Sequence, residues 1–194
     1  MSITQQGDCM LEIRWHSRAG QGAVTGAKGL GDVVANTGKE VQAFAFYGSA
    51  KRGAAMTAYN RIDDKPIINH EKYMAPDYVL VIDPALVLSA DITAHEKENT
   101  KYIVTTHMDK KELIKLVPKL EGKEVYTVDC MTISMETIGR AIPNTPMLGA
   151  LMKVSGMFEL DYFKNAMLKV LAKFPQKIID ANMSAITRAY DEVK

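Results

Sequence analysis

The residues best suited to chemistry in this chain are Arg18-Ala19-Gly20-Gln21-Gly22, a cation followed by two glycines that flank an amide. Glycines so spaced let the backbone turn sharply, and a helix opening directly after them would present outward-facing N–H groups and partial positive charge. That geometry suits a phosphate, another anion or the backbone of a partner chain. Gln21 lies between the glycines, where an amide can donate and accept hydrogen bonds outward. A second candidate is Tyr47-Gly48-Ser49-Ala50-Lys51-Arg52-Gly53, in which Ser49 and Gly53 keep the loop small while Lys51 and Arg52 supply charge-assisted donors. An isolated Lys-Arg pair normally faces water, so the pair gains meaning only if its loop meets the first turn at one sheet edge. The third candidate is Pro143-Asn144-Thr145-Pro146, where Asn144 either caps a helix or contacts a ligand.

Several chemistries are disfavoured by the same residues. Against the dinucleotide fingerprint G-x-G-x-x-G, the chain has Gly20 and Gly22, but Thr25 where the third glycine belongs and Gly26 one place late. The following strand ends at Tyr47-Gly48, with no carboxylate for a ribose hydroxyl, which argues against nicotinamide or flavin binding. A phosphate loop of the G-x-x-x-x-G-K-[ST] type is absent. Cys9 and Cys130 are far apart and belong to no C-x-x-C pair, and the four histidines are scattered, so the sequence supports no metal site. Two separate cysteines read as reduced thiols. A net charge of +1 with no basic block argues against nucleic-acid binding. No apolar run reaches the roughly 20 residues that span a bilayer, and Met1 to Gly7 is polar, so a cytoplasmic location without a membrane role is the expectation.

The elements that must position these residues alternate between strand and helix patterns. Leu11, Ile13 and Trp15 alternate with charged residues in a first strand, and Val24, Ala27, Leu30 and Val34 recur at helical spacing from Ala23 to Asn36. Strands are predicted over 41–46 and 54–63, the latter closed by Asp63-Asp64-Lys65-Pro66. Tyr78 to Asp83 is a nearly unbroken apolar run, the pattern of a central parallel strand covered on both faces. Further strands are expected at 101–106 and 124–129, with an amphipathic helix at 111–117 between them. From Met147 the pattern is helical, broken near Gly156 and Pro175, with a last helix over about 176–190. The 194 residues hold 47% hydrophobic and 24% charged side chains and no linker, which predicts one domain over 1–194 with its core at about 11–171. The expected fold is α/β: a Rossmann-like layered domain with a mostly parallel central sheet and helices on both faces.

Taken in order, Arg18 to Gly22, Tyr47 to Gly53, Asp77 to Asp83 and Asn144 to Ala150 resemble the gamma subunit of the 2-oxoacid:ferredoxin oxidoreductases, most closely the pyruvate enzymes. The second loop departs from a common family pattern, Pro-Glu-x-Arg-Gly-Gly: Arg52 and Gly53 match, but the acidic residue and second glycine do not. The resemblance implies a multi-subunit enzyme that converts pyruvate and coenzyme A to acetyl-CoA, carbon dioxide and reduced ferredoxin or flavodoxin. It also implies alpha, beta and delta partner subunits that carry thiamine diphosphate, magnesium and iron–sulfur (4Fe-4S) clusters. This chain would hold none of those cofactors alone and supply no catalytic residue. Arg18, Gly20, Gln21, Gly22, Ser49, Lys51, Arg52, Gly53 and Asn144 are then the candidates for binding coenzyme A or for docking on the neighbouring subunits.

Overall fold

Residues 10–47, 54–68 and 75–194 are described by the computed structural model. Six strands form one sheet in the order β2-β3-β1-β4-β5-β6. They are β1 (Leu11–Arg18), β2 (Glu40–Tyr47), β3 (Ala55–Asp63), β4 (Tyr78–Val81), β5 (Lys101–Thr105) and β6 (Glu124–Val128). β1, β4, β5 and β6 are parallel neighbours. β3 runs antiparallel to both β1 and β2, so it alone opposes the other five. The mostly parallel sheet expected from the apolar runs is present, with this one reversed strand inserted between β2 and β1.

Seven helices are found among the described residues: α1 (Ala23–Ala35), α2 (Leu86–Ser89), α3 (Lys110–Leu116), α4 (Cys130–Thr137), α5 (Asn144–Ser155), α6 (Leu160–Val170) and α7 (Gln176–Glu192). On one face of the sheet Ile13, Trp15, Ala58, Leu80, Ile82 and Ile103 pack under α1 and the α4–α7 layer. On the other, Val79, Val81, Tyr102 and Val104 meet Leu86 of α2, Leu113 of α3 and the 3-10 turn at Leu120. β4 is buried on both sides, as a central parallel strand must be.

Helix α1 carries three glycines, each worth about 1 kcal/mol against a helix, yet its stripe of Ala27, Leu30, Val33 and Val34 is fully covered. Burial of the leucine and the two valines stabilises by ~1.5–3 kcal/mol apiece, so packing outweighs propensity. Gly26 is where packing requires the small residue: a Cβ there would stand 3.1 Å from the Trp15 ring. The indole Nε1 of Trp15 donates to Asn60 Oδ1 at 2.9 Å, and Asn60 Nδ2 donates to the Ala27 carbonyl at 2.7 Å, tying β1, β3 and α1 together.

The alternating charges of β1 do not face water. Glu12, Arg14 and His16 are all less than a tenth exposed. Arg14 Nη1 and Nη2 donate to the carbonyls of Ala94 and Ile92 at 2.7 and 2.8 Å. Glu12 lies 3.4 Å from Arg61 Nε, while burial raises its pKa. Burial, reinforced by Arg14 and Lys119, lowers His16 to about 3. The strand is therefore apolar only on its Trp15 side; the opposite side is a buried polar layer.

Candidate functional site at the carboxyl edge of the sheet

Because β1 and β4 are parallel neighbours, the segments leaving them emerge side by side. β1 leads into the Arg18–Gly22 turn, and β4 leads through Ile82 and Asp83 into α2. In the first turn Gly20 and Gly22 adopt left-handed conformations, with φ of 100° and 87°. Gly22 is the N-cap of α1, which receives no side-chain cap. A Cβ on Gly20 would meet nothing within 4 Å, so the outer side of the turn is open. A Cβ on Gly22 would stand 2.8 Å from Asn144 Nδ2. Gly22 thus answers both a left-handed φ and a close approach.

That approach brings the third sequence candidate to the first. α5 begins at Asn144, and its N-cap position is Pro143, again without a side-chain cap. Asn144 is therefore not the cap that its residue type suggested. Its Oδ1 accepts from Thr145 N at 2.9 Å, and its amide packs on Gly22. Two helix N-termini, α1 and α5, converge here, each with the partial positive charge of unsatisfied N–H groups.

Gln21 also departs from expectation. Its side chain bridges inward rather than outward: Oε1 accepts the Arg18 N–H at 2.8 Å and the Ser17 hydroxyl at 3.2 Å. Its Nε2 donates to Asp83 Oδ2 at 2.7 Å. The buried donors and acceptors around the turn need partners, and the nearest amide supplies them. Arg18 Nε lies 3.1 Å from the same Asp83 oxygen. Arg18 remains more than a third exposed, whereas Asp83 is buried. Asp83 belongs to this site and was not singled out by sequence reasoning; only the Asp-Pro end of the apolar run marked it, and Gln21 lies 62 positions away.

Ser49, Lys51, Arg52 and Gly53 lie outside the described residues. Their flanks are described. Tyr47 ends β2 opposite Met56, Ala55 faces Arg18 across β3 and β1, and Ala19 N donates to the Ala54 carbonyl at 3.2 Å. Both ends of that loop are therefore anchored at the same sheet edge as the Gly20–Gly22 turn. The strands that carry them are not both neighbours of β1, since β3 separates β2 from it.

Elsewhere, no group of three or more His, Cys, Asp or Glu side chains comes together as a metal site among the described residues. Cys130 is fully buried at the start of α4, and burial pushes its thiol up to about 12. No helix among the described residues is long and apolar enough to cross a membrane.

This arrangement defines an α/β domain whose candidate site lies at the carboxyl ends of its parallel strands, where open α/β sheets commonly place ligands. The chain belongs to the pyruvate ferredoxin/flavodoxin oxidoreductase family, which matches residues 12–192. It is 43% identical to the pyruvate synthase subunit PorC of Thermotoga maritima over 185 residues, covering 95% of each chain. It is 39% identical to the pyruvate/ketoisovalerate oxidoreductases common subunit gamma of Pyrococcus abyssi, covering 95% of this chain and 98% of that one. The crystal structure of the Thermotoga maritima pyruvate oxidoreductase subunit PORC superposes with a TM-score of 0.83 at 41% identity, covering 96% of this chain and 98% of that one.

Proposed function

We propose that this chain is the gamma subunit of a multi-subunit pyruvate:ferredoxin (or flavodoxin) oxidoreductase, acting in the cytoplasm beside alpha, beta and delta subunits. The overall reaction converts pyruvate and coenzyme A to acetyl-CoA and carbon dioxide and passes two electrons to ferredoxin or flavodoxin. Membership in a family named for that activity, over nearly the whole chain, is the observation that carries this reading. Thiamine diphosphate with magnesium, held by the partner subunits, supplies the decarboxylation chemistry, and 4Fe-4S clusters there carry the electrons. The described residues of this chain bring together no ligand set for such a cluster.

The contribution of this chain is to bind and orient. The uncapped start of α1, the open outer side at Gly20 and the partly exposed Arg18 form an edge suited to the anionic end of coenzyme A. Lys51 and Arg52, in the stretch whose described flanks Tyr47 and Ala54 lie at that edge, would add cations for its phosphates. Asn144 and Gly22 bring α5 against α1 and so fix the shape of the rim. The test is steady-state kinetics of the intact complex carrying Lys51→Ala and Arg52→Ala together. The apparent KM for coenzyme A should rise about tenfold or more, as expected for loss of charge-assisted phosphate contacts, with the pyruvate KM unchanged. If neither constant moves in an assembled complex, the coenzyme A assignment is wrong.

A further inference from the structure

The Asp83 carboxylate is shared by three donors from two segments. Oδ1 accepts Ala85 N at 2.9 Å and fixes the β4–α2 turn. Oδ2 accepts Gln21 Nε2 at 2.7 Å and lies 3.1 Å from Arg18 Nε. Gln21 then hands the constraint back to β1, because its Oε1 accepts Arg18 N and Ser17 Oγ. Arg18 is held at both ends of its length, by its backbone N–H through Gln21 and by its guanidinium through Asp83. On the other side of the turn, Gly20 faces open space.

We infer that Asp83 is the positioning residue of this site: it clamps the inner side of the Gly20–Gly22 turn so that the backbone amides and Arg18 present one fixed, anion-accepting edge. The inference rests on the coenzyme A reading proposed above. Left-handed glycines are conformationally permissive, and a turn built on two of them would otherwise sample many shapes. A buried carboxylate reached by an amide and a guanidinium removes that freedom before a ligand arrives.

The experiment compares four variants in the assembled complex. Asp83→Asn keeps the side-chain volume and the bond to Ala85, but turns an N–H2 group toward Gln21 Nε2 and Arg18 Nε. Gln21→Ala cuts the same link from a partly buried turn and removes the acceptor of the Arg18 N–H, so circular dichroism and co-purification first establish that each variant folds and assembles. Both should raise the KM for coenzyme A about tenfold, the effect of one lost charge-assisted contact, without changing the KM for pyruvate. The double variant Gln21→Glu/Asp83→Asn reverses donor and acceptor across the bridge, with the new amide at position 83 donating to the new carboxylate at position 21; it restores that link but not the carboxylate beside Arg18 Nε, and should recover part of the affinity. Arg18→Ala reports separately on the coenzyme A reading. If Arg18→Ala raises the coenzyme A KM while Asp83→Asn and Gln21→Ala do not, the positioning role is refuted and the reading stands. If Arg18→Ala is silent, both fall. If Asp83→Asn raises both KM values equally, or the swapped pair recovers nothing, Asp83 is a structural residue only.

Discussion

Gly149 is the position at which one methyl group should do the most damage. It sits in α5, where a Cβ would stand 2.1 Å from the carbonyl oxygen of Ile186 and 3.0 Å from its Cα. Those atoms are backbone of α7, so no rotamer change relieves the clash, and α7 must retreat by about 1 Å along its contact with α5. Ala185, Ile186 and Ala189 are fully buried in that seam and would lose dispersion contacts together. Overpacking a core costs about 1–3 kcal/mol when side chains can adjust; here a helix must move, so about 3 kcal/mol or more is expected. The better helix propensity of alanine offsets only about 1 kcal/mol of it. Gly29→Ala is the control, since its Cβ would meet only Met167 Cε at 3.8 Å in the middle of α1. That variant should be stabilised by about 0.5–1 kcal/mol. Urea unfolding followed by far-ultraviolet circular dichroism reads both. A Gly149→Ala midpoint within error of the parent would refute the packing argument, as would a destabilised Gly29→Ala.

Two further outcomes follow from the buried polar layer and the turn. His16 titrates near 3 when folded and at 6.5 when unfolded, because burial and Arg14 disfavour its cation. Below pH 6.5 the unfolded chain takes up a proton that the folded chain refuses, so stability falls as pH drops, by about 2 kcal/mol between pH 7 and pH 5. His16→Gln should flatten that decline in denaturant titrations at the two pH values; equal declines would show that His16 carries none of it. Gly22→Ala forces a side chain into a left-handed φ of 87° against Asn144. A loss of about 1–3 kcal/mol is expected, together with a higher coenzyme A KM; an unstrained, fully active variant would contradict the geometry of the site.

How much of this was legible in the residues depends on how local each cause is. The Gly20–Gly22 turn, the central strand and the helix breaks at Gly156 and Pro175 all rest on short-range chemistry and appear where the pattern put them, although the strand expected over Tyr78–Asp83 ends at Val81. The last helix runs to Glu192 rather than 190. By contrast, α2 and α4 carry no strong periodicity: α2 is four residues long, and α4 opens on Asp129, whose side chain accepts from Thr132 N. The direction of β3 depends on pairing with both β1 and β2, which no local pattern encodes. The alternation of charged and apolar residues in β1 says nothing by itself of where the charged side lies. Its burial is possible only because the carbonyls of Ile92 and Ala94 and the Arg61 side chain arrive from elsewhere. Gln21 turned inward for the same reason, since its acceptor Asp83 is brought to it by the sheet.

Every role assigned above requires this chain to work inside a larger redox assembly. Native purification of the protein from its own cells, followed by mass spectrometry of the co-eluting chains and assay for coenzyme A-dependent pyruvate oxidation, decides whether it does. Companion subunits bearing cysteine-ligated clusters and a thiamine diphosphate site should co-elute, with activity in the assembled fraction. A homogeneous single chain that turns over pyruvate alone, or a stable assembly lacking such companions, would contradict the proposed function.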